Sequence, residues 1–372
     1  MRSRRIASAL LAGAVLVALA GCAAPFSTRD APTTEFAQKR AGDALADKTA
    51  RSDEAVADLV PADGPGCSAA VSRDGTVLWA GAGGLADLAN GIPVTTETRF
   101  DMASVSKQFT ATAILMLQRD GLLKLSDPIG AYVDGLPAWG STITLDQLMH
   151  HTSRIPDYWV ELDKIDIGFS DPADQATTVQ AIRREKKLEP GTGFLYSNSN
   201  YVLLAEVVAR VSGTPLPQFL DERIFTPLGL DMVLAPTLHA PDIALSYDDN
   251  SNLQEAGWTS YGHTGIITTA SELARWGDQY RAGDIIQDDF SVGAVDESEG
   301  ELYAAGMDIE VDGDLNHTGR MGGFVSDFTV SADREWTVAV MCNGHLSNRF
   351  PLAAALWQIW DPRDEPGEQV GD

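Results

Sequence analysis

Ser104 and Lys107 stand three positions apart in the stretch DMASVSKQFTATAILML, residues 101–117. A serine hydroxyl is a weak nucleophile until a neighbouring base takes its proton. A lysine amine can be that base when neutral, and burial or the positive end of a helix lowers its pKa. Helix positions i and i+3 share a face, so the two side chains can meet. Ile114, Leu115, Met116 and Leu117 are consecutive, so the helix they predict is apolar nearly all round and buried between lobes. Asp120-Gly121 offers it a C-terminal stop. A capping serine beside a surface lysine would give the same spacing, so S-x-x-K alone is weak.

Two further segments add to it. FLYSNSNY holds Tyr196 and Asn198, two apart, which on an extended loop point the same way. A tyrosine, as phenolate or as a proton shuttle with a lysine, can act as general base, and an asparagine amide can hold a substrate carbonyl. NHTGRMGGF holds His317, Thr318 and Gly319 at the start of a late strand. A cationic or donor side chain there can face a substrate carboxylate. The glycine admits a substrate backbone, and the next N–H, of Arg320, can serve an oxyanion. His150-His151 lacks metal-ligand spacing, so no metal and no cofactor are expected. His151 reads as a structural hydrogen-bonding residue. G-x-S-x-G is absent, which disfavours an α/β-hydrolase.

These residues need elements to hold them. CSAAVS and TVLWAGAG read as strands around Asp74-Gly75, a hairpin signal. Helical stretches separated by Gly/Pro/Asp loops fill residues 108–254, and DLNHTG, FVSDFTVSAD and WTVAVMCN return as three strands. The pattern predicts an α/β (α+β) fold: one antiparallel sheet built from both ends of the chain and flanked by helices, with an inserted all-helical lobe. The sheet lobe takes about 43–107 and 255–372, the helical lobe about 108–254.

The N-terminus carries Arg2, Arg4 and Arg5, then an Ala-rich apolar run too short to span comfortably, ending in LAGC, Leu19 to Cys22. That ending resembles the lipobox of bacterial lipoproteins. It implies a signal peptide over 1–21, a lipid on Cys22 and a chain exported and tethered to the outer face of the cytoplasmic membrane. Residues 22–42, polar and small with two prolines, read as a flexible tether, and helical periodicity begins near Asp43. Against 27 Lys and Arg stand 53 Asp and Glu, a formal charge of -26. Such a charge excludes a nucleic-acid backbone as partner and keeps copies apart, so a monomer is expected. Hydrophobic residues at 44% and charged ones at 22% fit a folded globular body rather than a disordered one.

S-x-x-K, Y-x-N and (K/H)-T-G, in that order, resemble the signature of the serine β-lactamase and penicillin-binding-protein superfamily. The tyrosine motif is similar to that of the class C β-lactamase, D,D-peptidase and EstB-type esterase branch. LMHHTSRIPDY, EPGTGFLYSNSNYVLLAEVV, FTPLGLDM and GIITTASELARW match further landmarks, so the resemblance covers roughly residues 50–360. It implies a serine hydrolase with Ser104 as nucleophile, Lys107 as proton relay and Tyr196 as base. Asn198 and His317, with Thr318 and Gly319, would bind substrate, and the N–H groups of Ser104 and Arg320 would form the oxyanion hole. The implied substrate is a small molecule or peptide: a D-Ala or other D-amino-acid peptide, a small ester or a β-lactam. A catalytically poor protein that senses cell-wall fragments in the same cleft is the alternative. Arg154 stands where the family has glycine, and His317 where many relatives have lysine, which argues against strong β-lactamase activity. In the family's sheet the strands opened by Cys67 and closed by Cys342 are antiparallel neighbours. A Cys67–Cys342 disulfide is therefore an open expectation beside two free buried thiols.

Overall fold

Asp74 and Gly75, at φ 50° and 71°, form the two-residue turn of a hairpin between β1 (Cys67–Arg73) and β2 (Thr76–Gly83). The structure, a computed structural model, describes residues 31–344, 346–361 and 363. The expected signal peptide and the expected lipidation site Cys22 lie outside the described residues. From the other end of the chain come β3 (Val295–Ser298), β4 (Glu301–Tyr303), β5 (Asp308–Ile309), β6 (Leu315–Met321), β7 (Phe324–Val330) and β8 (Trp336–Cys342). All eight join one antiparallel sheet in the order β2-β1-β8-β7-β6-β5-β4-β3. Three of these, β3 to β5, are absent from the sequence reading. They are two to four residues long and carry little of the apolar alternation that marks a strand.

The main helices are α1 (Ala31–Leu59), α2 (Lys107–Arg119), α3 (Asn198–Ser212), α4 (Ala270–Trp276) and α5 (Leu346–Trp360). Period-2 alternation sorts the strands between two cores. Cys67, Ala69 and Val71 of β1 and Val338, Val340 and Cys342 of β8 cluster with Val56 and Val60 of α1 and Leu352, Leu356 and Trp360 of α5. Ala70, Ala339 and Met341, from the same strands, belong to the opposite core with Leu273 and Trp276 of α4 and Ile114 of α2. Strands buried on both faces explain why β1 and β8 read as continuous apolar runs. Residues 107–117 of α2 are buried without exception. The helix is enclosed between the sheet and a helical lobe whose α3 packs along it.

Two boundaries differ from the sequence reading. α1 begins at Ala31, so residues 31–42 of the expected tether are helical. Pro32 sits in its first turn, where a missing N–H costs nothing, and good helix formers follow. The inserted lobe is also less helical than expected at its end. Helix stops at Leu228, and Val233–Leu234 joins Ile266–Thr268 and Phe100–Asp101 in a small sheet that ties the insert to the segment before Ser104. The chain divides between Ala46 and Asp47 into two units, the larger running from Asp47 to Asp372. Among the described residues, no helix is long and apolar enough to cross a membrane.

Cys67 and Cys342 are direct cross-strand partners with Cα atoms 4.0 Å apart and are joined as a disulfide. The bond closes a loop of 275 residues. A crosslink of that length restricts the unfolded chain and is expected to contribute about 2–4 kcal/mol. Urea unfolding with and without reductant measures it: the midpoint should fall on reduction. An unchanged midpoint would mean the bond adds nothing to stability.

Candidate active site

Asp101 leaves the small sheet and the chain turns at once into α2 through a single tight turn, Ala103–Ser106. Ala103 has φ 50°, unusual for a residue with a Cβ. Its N–H donates to Asp101 Oδ1 at 2.8 Å, which holds that conformation. On the far side, Ser326 Oγ donates to the Met102 carbonyl at 2.7 Å. A Cβ at Gly319 would lie 2.6 Å from the same carbonyl, so only glycine lets β6 approach the turn. The result is Ser104, half-buried, between the start of α2 and the middle of β6.

Lys107 is fully buried and its Nζ has three neighbours: Ser104 Oγ at 2.9 Å, Asn198 Oδ1 at 2.8 Å and the His263 carbonyl at 3.0 Å. Asn198 Nδ2 donates to Asp157 Oδ2 at 2.9 Å, so its oxygen must face the lysine. Two of the three neighbours can only accept. A neutral amine has two N–H bonds for them and one lone pair for the hydroxyl proton of Ser104. Burial pushes the Lys107 pKa down to about 7, against the opposing charge of Asp157. Asp157 was not singled out from the sequence. It accepts Asn198 N at 2.8 Å and caps helix Tyr158–Asp163. Pro-Asp ahead of an aromatic run in RIPDYW is an N-cap signal that could have drawn attention to it.

Tyr196 and Asn198 are not on one extended loop. Ser197 is the extended cap residue (φ −149°, ψ 123°), and Asn198 is the first residue of α3. His151 Nδ1 accepts Ser197 N at 3.2 Å and Asn200 Nδ2 at 2.9 Å, fixing the junction. This histidine is buried, kept neutral by burial, and stacks 4.3 Å from the Tyr196 ring. Lys107 Nζ lies 4.8 Å from the centre of that ring. Burial raises the Tyr196 pKa above the ordinary phenol value, while a hydrogen bond with Ser104 opposes the rise. A raised phenol and a lowered amine both favour Lys107 over a tyrosinate as the base.

His317 also departs from expectation. It is 3% exposed, and burial, with Lys107 nearby, pushes its pKa down to about 3. Its Nδ1 lies 2.6 Å from the Thr318 carbonyl, which can only accept, so Nδ1 carries the proton. Nε2 then accepts from Tyr303 Oη at 3.3 Å. A neutral imidazole so engaged offers a substrate carboxylate no charge, so of the two roles expected here, cation or donor, the geometry speaks against the first. Arg320 is the exposed cation on the cleft wall. The cleft, of about 450 Å³, brings together Ser104, Tyr196, Asn198, His317, Thr318, Gly319 and Arg320. Phe350 of α5 completes it with Glu297, Tyr303 and Asp308, the last three on the short strands that the sequence reading missed. Burial and a hydrogen bond with Glu297 raise the Asp308 pKa.

Arg154 occupies its glycine-like position at φ 62°. Its guanidinium reaches the carbonyls of Glu189 at 3.4 Å, Phe194 at 3.5 Å and Pro190. The arginine thus accepts a backbone conformation that costs about 1–2 kcal/mol and ties down the loop that leads to Tyr196. His150 bonds the Asp146 carbonyl at 3.0 Å. Among the described residues, no group of three or more His, Cys, Asp and Glu could hold a metal ion.

A family model described as Beta-lactamase matches residues 53–358. Penicillin-binding protein 4* of Bacillus subtilis is 31% identical over 162 residues, 43% of this chain and 36% of the relative. A D-aminopeptidase of Cereibacter sphaeroides is 29% identical over 314 residues, 79% of this chain and 60% of the relative. Both alignments span less than two thirds of the relative's own length. A D-stereospecific amidohydrolase from Streptomyces superposes with a TM-score of 0.69 at 22% identity, covering 82% of this chain and 97% of its own. At that identity the likeness concerns the fold.

Proposed function

The chain belongs to the beta-lactamase family, and from that premise we propose that it is a serine hydrolase working through an acyl-enzyme on Ser104. The observation that carries the reading is a buried amine with a pKa of about 7 placed 2.9 Å from the Ser104 hydroxyl. Lys107 takes the hydroxyl proton as Ser104 Oγ bonds to the substrate carbonyl carbon. The carbonyl oxygen gains the electron pair and is met by the N–H groups of Ser104 and Arg320. Tyr196, protonated, passes its proton to the leaving amine or alkoxide and recovers one from Lys107. Water then cleaves the ester by the reverse relay, returning Ser104. Asn198, braced by Asp157, holds the substrate amide, with His317, Thr318 and Gly319 along the other wall.

The substrate proposed is a D-amino-acid peptide or amide, or a small ester, by analogy with the relatives' activities. A neutral His317 supports amide or ester hydrolysis over efficient β-lactam turnover. The protein is proposed to be exported and held by a lipid on Cys22, and to act as a monomer without cofactor. Intact-mass measurement after incubation with a fluorophosphonate and with benzylpenicillin, followed by turnover of D-amino-acid amides and esters, tests the proposal. One adduct with turnover supports it. Adducts without any turnover would favour a sensor of wall fragments, and no adduct would end the reading.

Replacing Tyr196 with phenylalanine separates the two proton carriers. Amide turnover is expected to fall roughly 10²-fold, since a general acid contributes on that order. Activated esters, whose leaving groups need no proton, should lose much less. The pH limb near 7 should stay in place, because it belongs to Lys107. A limb that moves or disappears in the variant would return the base role to the tyrosine.

A further inference from the structure

A second cavity shares no lining residue with the cleft. Phe169, Ile243, Leu245, Met321 and Phe324 form the apolar part of its wall, Thr237, His239, Ser246 and Gln254 a polar part, and Asp101 lines it between them. Asp101 is 7% exposed, and its Oδ1 accepts Ala103 N at 2.8 Å, Gly265 N at 3.2 Å and Thr264 Oγ1 at 3.4 Å. Oδ2 takes none of these donors, which leaves it to the cavity. Burial raises the carboxyl to about 6, so it is mainly ionised at neutral pH. A carboxylate as buried as this one carries a desolvation cost. A ligand that brings a charge-assisted donor relieves that cost. Glu255 also lines the cavity, His239 is the one basic residue in its lining among the described residues, and the chain's formal charge is -26. The sign of the field therefore favours a cation.

We propose that this cavity is a binding site for a small apolar primary amine, with its ammonium on Asp101 Oδ2 and its hydrocarbon among Phe169, Leu245 and Phe324. The site is separate from the acylation chemistry and does not rest on it.

Calorimetric titration of hexylamine into the Ser104→Ala protein at pH 7.5 tests it, with hexanol and hexanoate as controls of equal length. Saturable one-to-one binding on the order of millimolar is expected for so few heavy atoms. It should be roughly tenfold or more tighter than hexanol, since hydrogen bonds to charged groups are worth that much. Hexanoate should not bind. Asp101→Asn keeps an oxygen for the three donors but turns an N–H₂ group toward the cavity, and should weaken hexylamine at least about tenfold. Leu245→Trp fills the chamber from a half-buried wall position and should abolish binding, which keeps the test available even if the Asp101→Asn protein fails to fold. Absence of saturable binding, hexanol binding as tightly as the amine, or hexylamine binding that survives Leu245→Trp would overturn the proposal.

Discussion

Ser104→Ala is expected to abolish covalent labelling by a fluorophosphonate and to lower turnover by at least about 10³-fold. Among the described residues, the Ser104 hydroxyl is the one nucleophilic atom that Lys107 Nζ hydrogen-bonds: its other two partners are the Asn198 amide oxygen and the His263 carbonyl. The substitution removes one oxygen from a half-buried position, so the turn held by Asp101 and Ser326 should persist. Residual turnover would come from the oxyanion donors and substrate positioning alone. Peptide mapping of the wild-type adduct completes the test. An adduct on another residue, or an alanine variant with full turnover, would show that the chemistry lies elsewhere.

Lys107→Met should cost nearly as much, roughly 10²- to 10⁴-fold in the rate of Ser104 acylation, because it deletes the base. The wild-type rate should rise with pH through about 7, since the proton-accepting form of Lys107 appears above that value. In the methionine variant that limb should vanish, leaving a flat, low profile. The fold should survive. Because burial lowers this pKa from 10.5 to about 7, the unfolded state binds more protons in that window, and Lys107's contribution to stability rises with pH across it. Below about 7 the desolvation penalty is felt in full, and methionine relieves it. A pH-rate limb near 7 retained in the variant would assign the proton transfer to another group.

Much of this site was legible in the chain. The i, i+3 spacing of Ser104 and Lys107 needs only a helix, and the unbroken apolar run after them already says that the helix is buried. Asp74-Gly75 between two apolar runs predicts its hairpin from turn geometry alone. Three strands at the C-terminal end and two at the N-terminal end suffice to infer one sheet closed by both ends of the chain. The short strands β3 to β5 were not legible. Their few polar residues pair because β6 offers them an edge, and no local signal records that. Glu297, Tyr303 and Asp308 consequently went unseen, although they form one wall of the cleft.

The residues proposed to react can be picked out in the sequence, but what governs their protonation arises only in three dimensions. Lys107 has its partner Asn198 91 residues away and the His263 carbonyl 156 residues away. Its pKa follows from the water these neighbours exclude. Burial likewise lowers the His317 pKa beside its contact with Tyr303 and raises that of Tyr196, directions the motifs alone do not carry. The two cysteines show the same division. Their places at the start of β1 and the end of β8 can be read along the chain. Their direct opposition is a matter of register, and in a strand with period two a slip of one residue would have turned one of them to the other face. Residue type and spacing are local properties of a chain, whereas desolvation and register are set by parts of it that meet only on folding.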